Sequence, residues 1–165
     1  MKKLNRKGFT LVELLAVIIV LAIVVGISIP AVTSTIATSK NKTCGVAVEA
    51  AQKWLETQVA LYNTDSSTAS DKFTTFYSST SITSITAADK IKALGFKTTN
   101  VDKVNITKNS DDTVCVEIAE IPQSSEYYST TYWSNRTSTS SSGTRNYAEP
   151  KTGESAPKNK SSHCA

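Results

Sequence analysis

Glu13 is a lone carboxylate inside an otherwise mostly apolar run over residues 9–32, directly behind Lys7, Gly8, Phe9 and Thr10. A carboxylate in hydrocarbon costs about 2.5–3.5 kcal/mol on insertion scales, so an intramembrane acid requires a counter-charge that can be named. The nearest is an amine released by cutting the backbone after Gly8. A second set of reactive side chains lies further along: Cys44, Cys115 and Cys164, with the single histidine, His163, beside the last. Three thiols allow one disulfide with one thiol left over. With the imidazole they would instead supply a three-sulfur, one-nitrogen ligand set for structural zinc. The remaining acids form no catalytic pattern. Asp111 and Asp112 sit in an expected turn, and neither a G-x-S-x-G element nor a phosphate-binding loop occurs. The sequence therefore reads as non-enzymatic, with no cofactor beyond zinc as a second choice.

The apolar run has three readings. A secretory signal has about 7–15 apolar residues and is cut after them at small residues; this run is longer and carries Glu13. A plain membrane anchor needs about 20 apolar residues, which the run supplies, but it leaves Glu13 and Gly8 without a purpose. The third reading comes from the residues around the glycine. Arg6 and Lys7, then Gly8, Phe9, Thr10, Leu11, Val12 and Glu13, resemble the class III signal of type IV prepilins. That resemblance implies cleavage by a prepilin peptidase between Gly8 and Phe9, N-methylation of Phe9, and Glu13 as the fifth mature residue. Its detail is strongest from Lys7 to Glu13 and extends to Pro30, covering the polymerisation machinery rather than the exposed surface.

The resemblance implies a mechanism. Leu11, Leu14, Leu15, Val17, Ile18, Leu21 and Val25 leave the bilayer only if other such helices cover them, a gain of about 25 cal/mol per Å² of apolar area. Glu13 then accepts the ammonium of Phe9 from a neighbouring copy, in surroundings where a missing partner is heavily penalised. Pro30 lacks an amide hydrogen and crowds the carbonyl of Gly26, so a kink or lost hydrogen bonds are expected there. In the family, a proline at this place accompanies a locally melted stretch in assembled filaments.

Charge sets the orientation. Removing Lys2, Lys3, Arg6 and Lys7 from the 18 basic residues leaves 14, against 14 acidic. The basic excess is thus leader, and by the positive-inside rule it places the N-terminus in the cytoplasm and the C-terminal part outside. The balanced mature charge gives no overall electrostatic footprint for nucleic acid.

The elements that carry these residues follow from periodicity. Cys44, Val48, Ala51, Leu55, Val59 and Tyr62 recur every three or four residues, predicting a helical stripe that faces a sheet. Residues 63–70 are polar and read as a loop. Residues 87–94 have helical spacing through Ile91 and Leu94, with Gly95 as the stop and Phe96 as an apolar contact behind it. Val104 and Ile106 alternate with polar neighbours, as do Val114, Val116 and Ile118, around a turn at Asn109, Ser110, Asp111 and Asp112, predicting a hairpin. Tyr127, Tyr128, Tyr132 and Trp133 read as a further strand, and residues 134–143 as a mobile low-complexity segment.

Cysteine pairing depends on which way the second hairpin strand faces. If Val114, Val116 and Ile118 meet the helix, Cys115 points away from it, which favours Cys115 with Cys164. Closing a loop of about 50 residues is worth roughly 4 kcal/mol in the chain-entropy model. The opposite facing brings Cys115 toward Cys44 and leaves zinc held by Cys44, Cys115, His163 and Cys164. A disulfide ranks first, zinc second and three free thiols third. Asn41, Asn105 and Asn135 each head a glycosylation acceptor triplet, which means little without the host's enzymes.

The expected fold is α+β: a long N-terminal helix whose second half packs on a small antiparallel sheet, the pilin-like architecture. The expected division is a leader at 1–8, a membrane and filament-core helix at 9–39, and a globular head at 40–165. The expected function is a pilus subunit that polymerises with its own copies, served by prepilin peptidase and the assembly machinery. It would be a single-pass membrane precursor first and a surface filament afterwards. Rivals are a minor pilin or secretion pseudopilin, and a monomeric membrane-anchored binding protein.

Overall fold

The computed structural model describes residues 9–64, 83–111, 113–141 and 143–164, without the side chains of Tyr62 and Thr83. Gly8, Asp112 and residues 65–70 of the expected loop lie outside these. The chain divides into two compact units, Met1–Ile36 and Ala37–Ala165. Helix α1, Leu11–Thr64, contributes to both.

The first unit is helical and apolar. Over residues 9–36 its side chains are exposed, Leu11 at 81% and Ile36 at 50% among them, and the segment is long and apolar enough to cross a membrane. Pro30 lies inside α1, and the helix continues through it rather than breaking. The expected interruption is thus limited to the single bond that a proline nitrogen cannot donate to Gly26. Hydroxyls bond back to carbonyls of the neighbouring turns: Ser28 Oγ donates to the Val24 carbonyl at 2.7 Å, and Thr33 Oγ1 to those of Ile29 and Pro30 at 3.2 and 2.9 Å.

The second unit is built on the helical stripe. Cys44, Val48, Ala51, Leu55 and Val59 are buried in one cluster with Val104, Val114, Val116, Ile118 and Ile121 of the sheet. Asn63 and Thr64 still belong to the helix, with Thr64 Oγ1 donating to the Ala60 carbonyl, so the expected loop does not start at residue 63.

Five antiparallel strands form the sheet in the order β1-β2-β3-β5-β4: β1 Thr83–Ile85, β2 Lys103–Lys108, β3 Val114–Pro122, β4 Trp133–Ser140 and β5 Gly143–Pro150. The β2–β3 hairpin pairs Val104 with Ile118, Ile106 with Val116 and Lys108 with Val114. Register slips between Lys103 and Val104, opposite Glu120 and Ile118, leaving Ala119 as the extra residue. Such a bulge shifts the inward phase, which explains why burial passes from Ile118 to Ile121 rather than to Glu120.

Helix α2, Ala88–Ala93, ends in a Schellman motif. Gly95 has φ +88°, its amide donates to the Lys92 carbonyl, and the Phe96 amide reaches back to Ile91. Ile91, Leu94 and Phe96 enter the core.

Two expectations need correction. Tyr127 and Tyr132 lie in turns, Tyr128 lies in irregular backbone between them, and only Trp133 begins a strand, because Ser125 and Asn100 offer this backbone other partners. Ser125 Oγ donates to the Asn100 carbonyl at 2.8 Å and accepts from the Tyr127 amide at 3.1 Å. Most of residues 134–143 are not a loose segment but belong to the β4–β5 hairpin, in register from Trp133 with Pro150 to Ser140 with Gly143. Its support is a backbone ladder with polar cross-strand pairs, Arg136 with Glu149 at 2.8 Å and Thr137 with Asn146 at 3.0 Å.

Candidate functional site

The N-terminus of α1 holds Phe9, Thr10 and Glu13 in a defined arrangement. Thr10 precedes the first helical residue, and Glu13 is the third residue of the helix. Glu13 Oε2 accepts the Thr10 amide at 2.8 Å and the Thr10 hydroxyl at 2.9 Å, while the Glu13 amide donates to Thr10 Oγ1 at 3.3 Å. This reciprocal arrangement is a capping box, which satisfies amides that the first helical turn leaves without partners. A single chain thus already gives the buried-acid candidate a local partner, which the sequence reading overlooked although Thr10 and Glu13 stand at the T-x-x-E spacing. Both side-chain bonds fall on Oε2. A carboxylate has two oxygens, each able to accept more than one hydrogen bond, so Oε1 can take a further cation. Phe9, 91% exposed, lies one turn before Glu13.

The cysteines lie in the second unit. Val114, Val116 and Ile118 face the core, Cys115 faces outward, and Cys115 is joined to Cys164 in a disulfide that closes a sequence separation of 49. Cys44 is a fully buried free thiol in the apolar cluster. The zinc reading is corrected accordingly: two of its four ligands are bonded to each other and have no thiolate to give. Among the described residues no group of three or more His, Cys, Asp or Glu side chains is placed to hold a metal.

The disulfide anchors a C-terminal segment that sequence reasoning did not resolve. Its backbone extends the edge of β3: the Ile118 amide donates to the Asn159 carbonyl at 2.8 Å and the Ser161 amide to the Val116 carbonyl at 2.9 Å. On its other side it is tied to α1. The Lys158 amide donates to Asn41 Oδ1, Ser162 Oγ donates to Glu49, and His163 Nδ1 lies 2.7 Å from Glu56 Oε1 and 2.6 Å from Gln52 Nε2. That ring nitrogen serves as donor to Glu56 or as acceptor from Gln52, one at a time. The buried polar residues Asn41 and Gln52, which interrupt the apolar face of α1, are with Glu49 and Glu56 the helix's contacts for this segment.

A long N-terminal helix with a five-stranded antiparallel sheet in the C-terminal part is an α+β, pilin-like fold. The family model described as the prokaryotic N-terminal methylation motif matches residues 3–29. That segment is the class III signal peptide of type IV pilins, and it supports a pilin-like or pseudopilin substrate of prepilin peptidase. The motif implies processing followed by pilus or pseudopilus assembly, and with the apolar helix it fits a membrane-anchored precursor. Neither curated proteins nor solved structures gave a match.

Proposed function

We propose that this chain is a structural, non-catalytic subunit of a type IV pilus. Prepilin peptidase cuts it after Gly8, Phe9 is N-methylated, and the precursor waits in the cytoplasmic membrane with its N-terminus inside. Copies then polymerise through the apolar helix into a surface filament. In this reading 1–8 is the leader, 9–39 the membrane and filament-core helix, and 40–165 the head.

The observation that carries the reading is the carboxylate of Glu13 on an exposed apolar helix, capped at Oε2 and, among the described residues, without a partner at Oε1. The new ammonium of Phe9 from an adjacent copy supplies the charge that Oε1 lacks. Before cleavage that nitrogen is a neutral amide and the amine sits on Met1, so the uncut precursor cannot make the pair. Pairing in a low dielectric fixes the stagger between helices, because any other register leaves both charges unpartnered among apolar side chains.

Intact-mass analysis of sheared surface material tests this. Loss of residues 1–8 with one added methyl group on Phe9, in a species that dominates the filaments, is the expected result. The same processed mass at trace abundance would assign a minor pilin or a pseudopilin instead. An intact Met1 on a surface-displayed monomer would assign an anchored binding protein.

A further inference from the structure

Three cysteines can pair in three ways, and each pairing closes a different loop. Cys115 and Cys164 are separated by 49 in sequence, whereas Cys44 lies about 70 residues from Cys115 and about 120 from Cys164. In an unfolded chain the probability of closure falls roughly as the −3/2 power of loop length. Random oxidation therefore gives about half Cys115–Cys164, about a third Cys44–Cys115 and about a seventh Cys44–Cys164.

The folded second unit removes that competition. Cys44 is fully buried on the core face of α1, and Cys115 points away from that face on β3. A thiol enclosed in an apolar cluster meets neither an oxidant nor a second thiol. Cys115 and Cys164 are half-buried and keep access to solvent.

These two are also brought together by bonds that involve no sulfur. Ser161 is buried and grips Val116, the residue after Cys115: its amide donates to the Val116 carbonyl at 2.9 Å, and its hydroxyl accepts the Val116 amide at 2.9 Å. Asn159 repeats this on Ile118, its carbonyl accepting the Ile118 amide at 2.8 Å and its Nδ2 donating to the Ile118 carbonyl at 2.9 Å. Cys164 then follows Ser161 in a turn, its amide donating to the Ser161 carbonyl at 3.2 Å.

We propose that the Cys115–Cys164 bond is installed in a second unit that has already folded, by exchange with an external disulfide, and that Ser161 positions Cys164 for it. One protein thiolate attacks the donor disulfide, forming a mixed disulfide and releasing one donor thiolate. The other protein thiolate attacks the protein sulfur of that mixed disulfide and releases the second. The two cysteines lose two electrons and two protons, and the donor leaves as two thiols. The reaction class that acts on this unit is thus disulfide donation after folding, not rearrangement of wrong pairs. The proposal stands apart from the filament reading, because every residue it uses lies in the second unit.

The test reduces the full chain in detergent, oxidises it with glutathione disulfide in native buffer or in guanidinium chloride, and maps the bonds by peptide mass spectrometry without reductant. A parallel reduced sample pulsed with iodoacetamide should label Cys115 and Cys164 and spare Cys44 in native buffer, while denaturant exposes all three. Oxidation should then give nearly all Cys115–Cys164 in native buffer and about half in denaturant. Cys44→Ala should raise the yield about twofold in denaturant and leave it unchanged in native buffer. Ser161→Ala should keep Cys44 protected while a glutathione adduct accumulates, because the second exchange waits for positioning. Labelling of Cys44 in the reduced native chain, wrong pairs in native buffer at their denatured share, or closure by Ser161→Ala at the unaltered rate or only with Cys44 exposed would each overturn the proposal.

Discussion

Glu13 caps the helix with Thr10 and, in the proposed filament, pairs with a neighbour's amine, and a single substitution can separate the two roles. The box with Thr10 needs an oxygen acceptor at position 13, while pairing with a neighbour's amine needs a negative charge. The T-x-x-E spacing was legible as a helix start, but the apolar surroundings directed the reading of Glu13 to a distant amine, and the local partner emerged only from the geometry. A second carboxylate gives a prediction about pH. The Asn100 side chain, then Lys97 through a hydrogen bond and its charge, holds the Glu126 carboxyl below the usual range. A carboxyl lowered in the folded state adds stability above its unfolded value, about 4.3, and loses it as pH falls through the folded value. Thermal melts of Glu126→Gln and the unaltered chain should therefore differ at neutral pH and converge in acid; a gap of constant size would show that Glu126 contributes no charge-dependent stability.

Elements that bury one face were readable from the sequence, and those that bury neither were not. The α1 stripe and the β2–β3 alternation mark surfaces that fall in one core, so period and burial agree. The outer stretch of β4 and the facing stretch of β5 are exposed on both sides, which leaves no apolar alternation to detect. A ladder of backbone bonds has no side-chain signature, and a run of Ser and Thr looks the same in a hairpin as in a loose linker. The C-terminal segment was opaque for a related reason: its place is set by backbone bonds to β3 and by polar contacts to α1, not by apolar periodicity. Its covalent anchor gives the prediction at this scale. Replacing Cys115 and Cys164 with serine should lower unfolding free energy by about 4 kcal/mol, from the chain entropy of a loop of about 50 residues. Equilibrium denaturation checks this. A loss below about 1 kcal/mol would mean that the hydrogen bonds of the segment suffice without the bond between sulfurs.

At the scale of the molecule, the two units divide the work. Met1–Ile36 contains the methylation motif at residues 3–29 and an apolar helix with its side chains exposed, while Ala37–Ala165 has its own core. A surface so apolar is stable in lipid or against other apolar helices, and the methylation motif implies processing followed by pilus or pseudopilus assembly. What the second unit meets has no signature in the N-terminal motif, because that motif speaks only to processing and assembly. The central claim is that the negative charge at position 13 sets the stagger of assembled helices. Glu13→Gln tests it most directly, since glutamine keeps an oxygen for the Thr10 cap and removes the charge. The account predicts a processed, membrane-inserted, folded protein that yields no sheared filaments. Filaments at the level of the unaltered chain would contradict it.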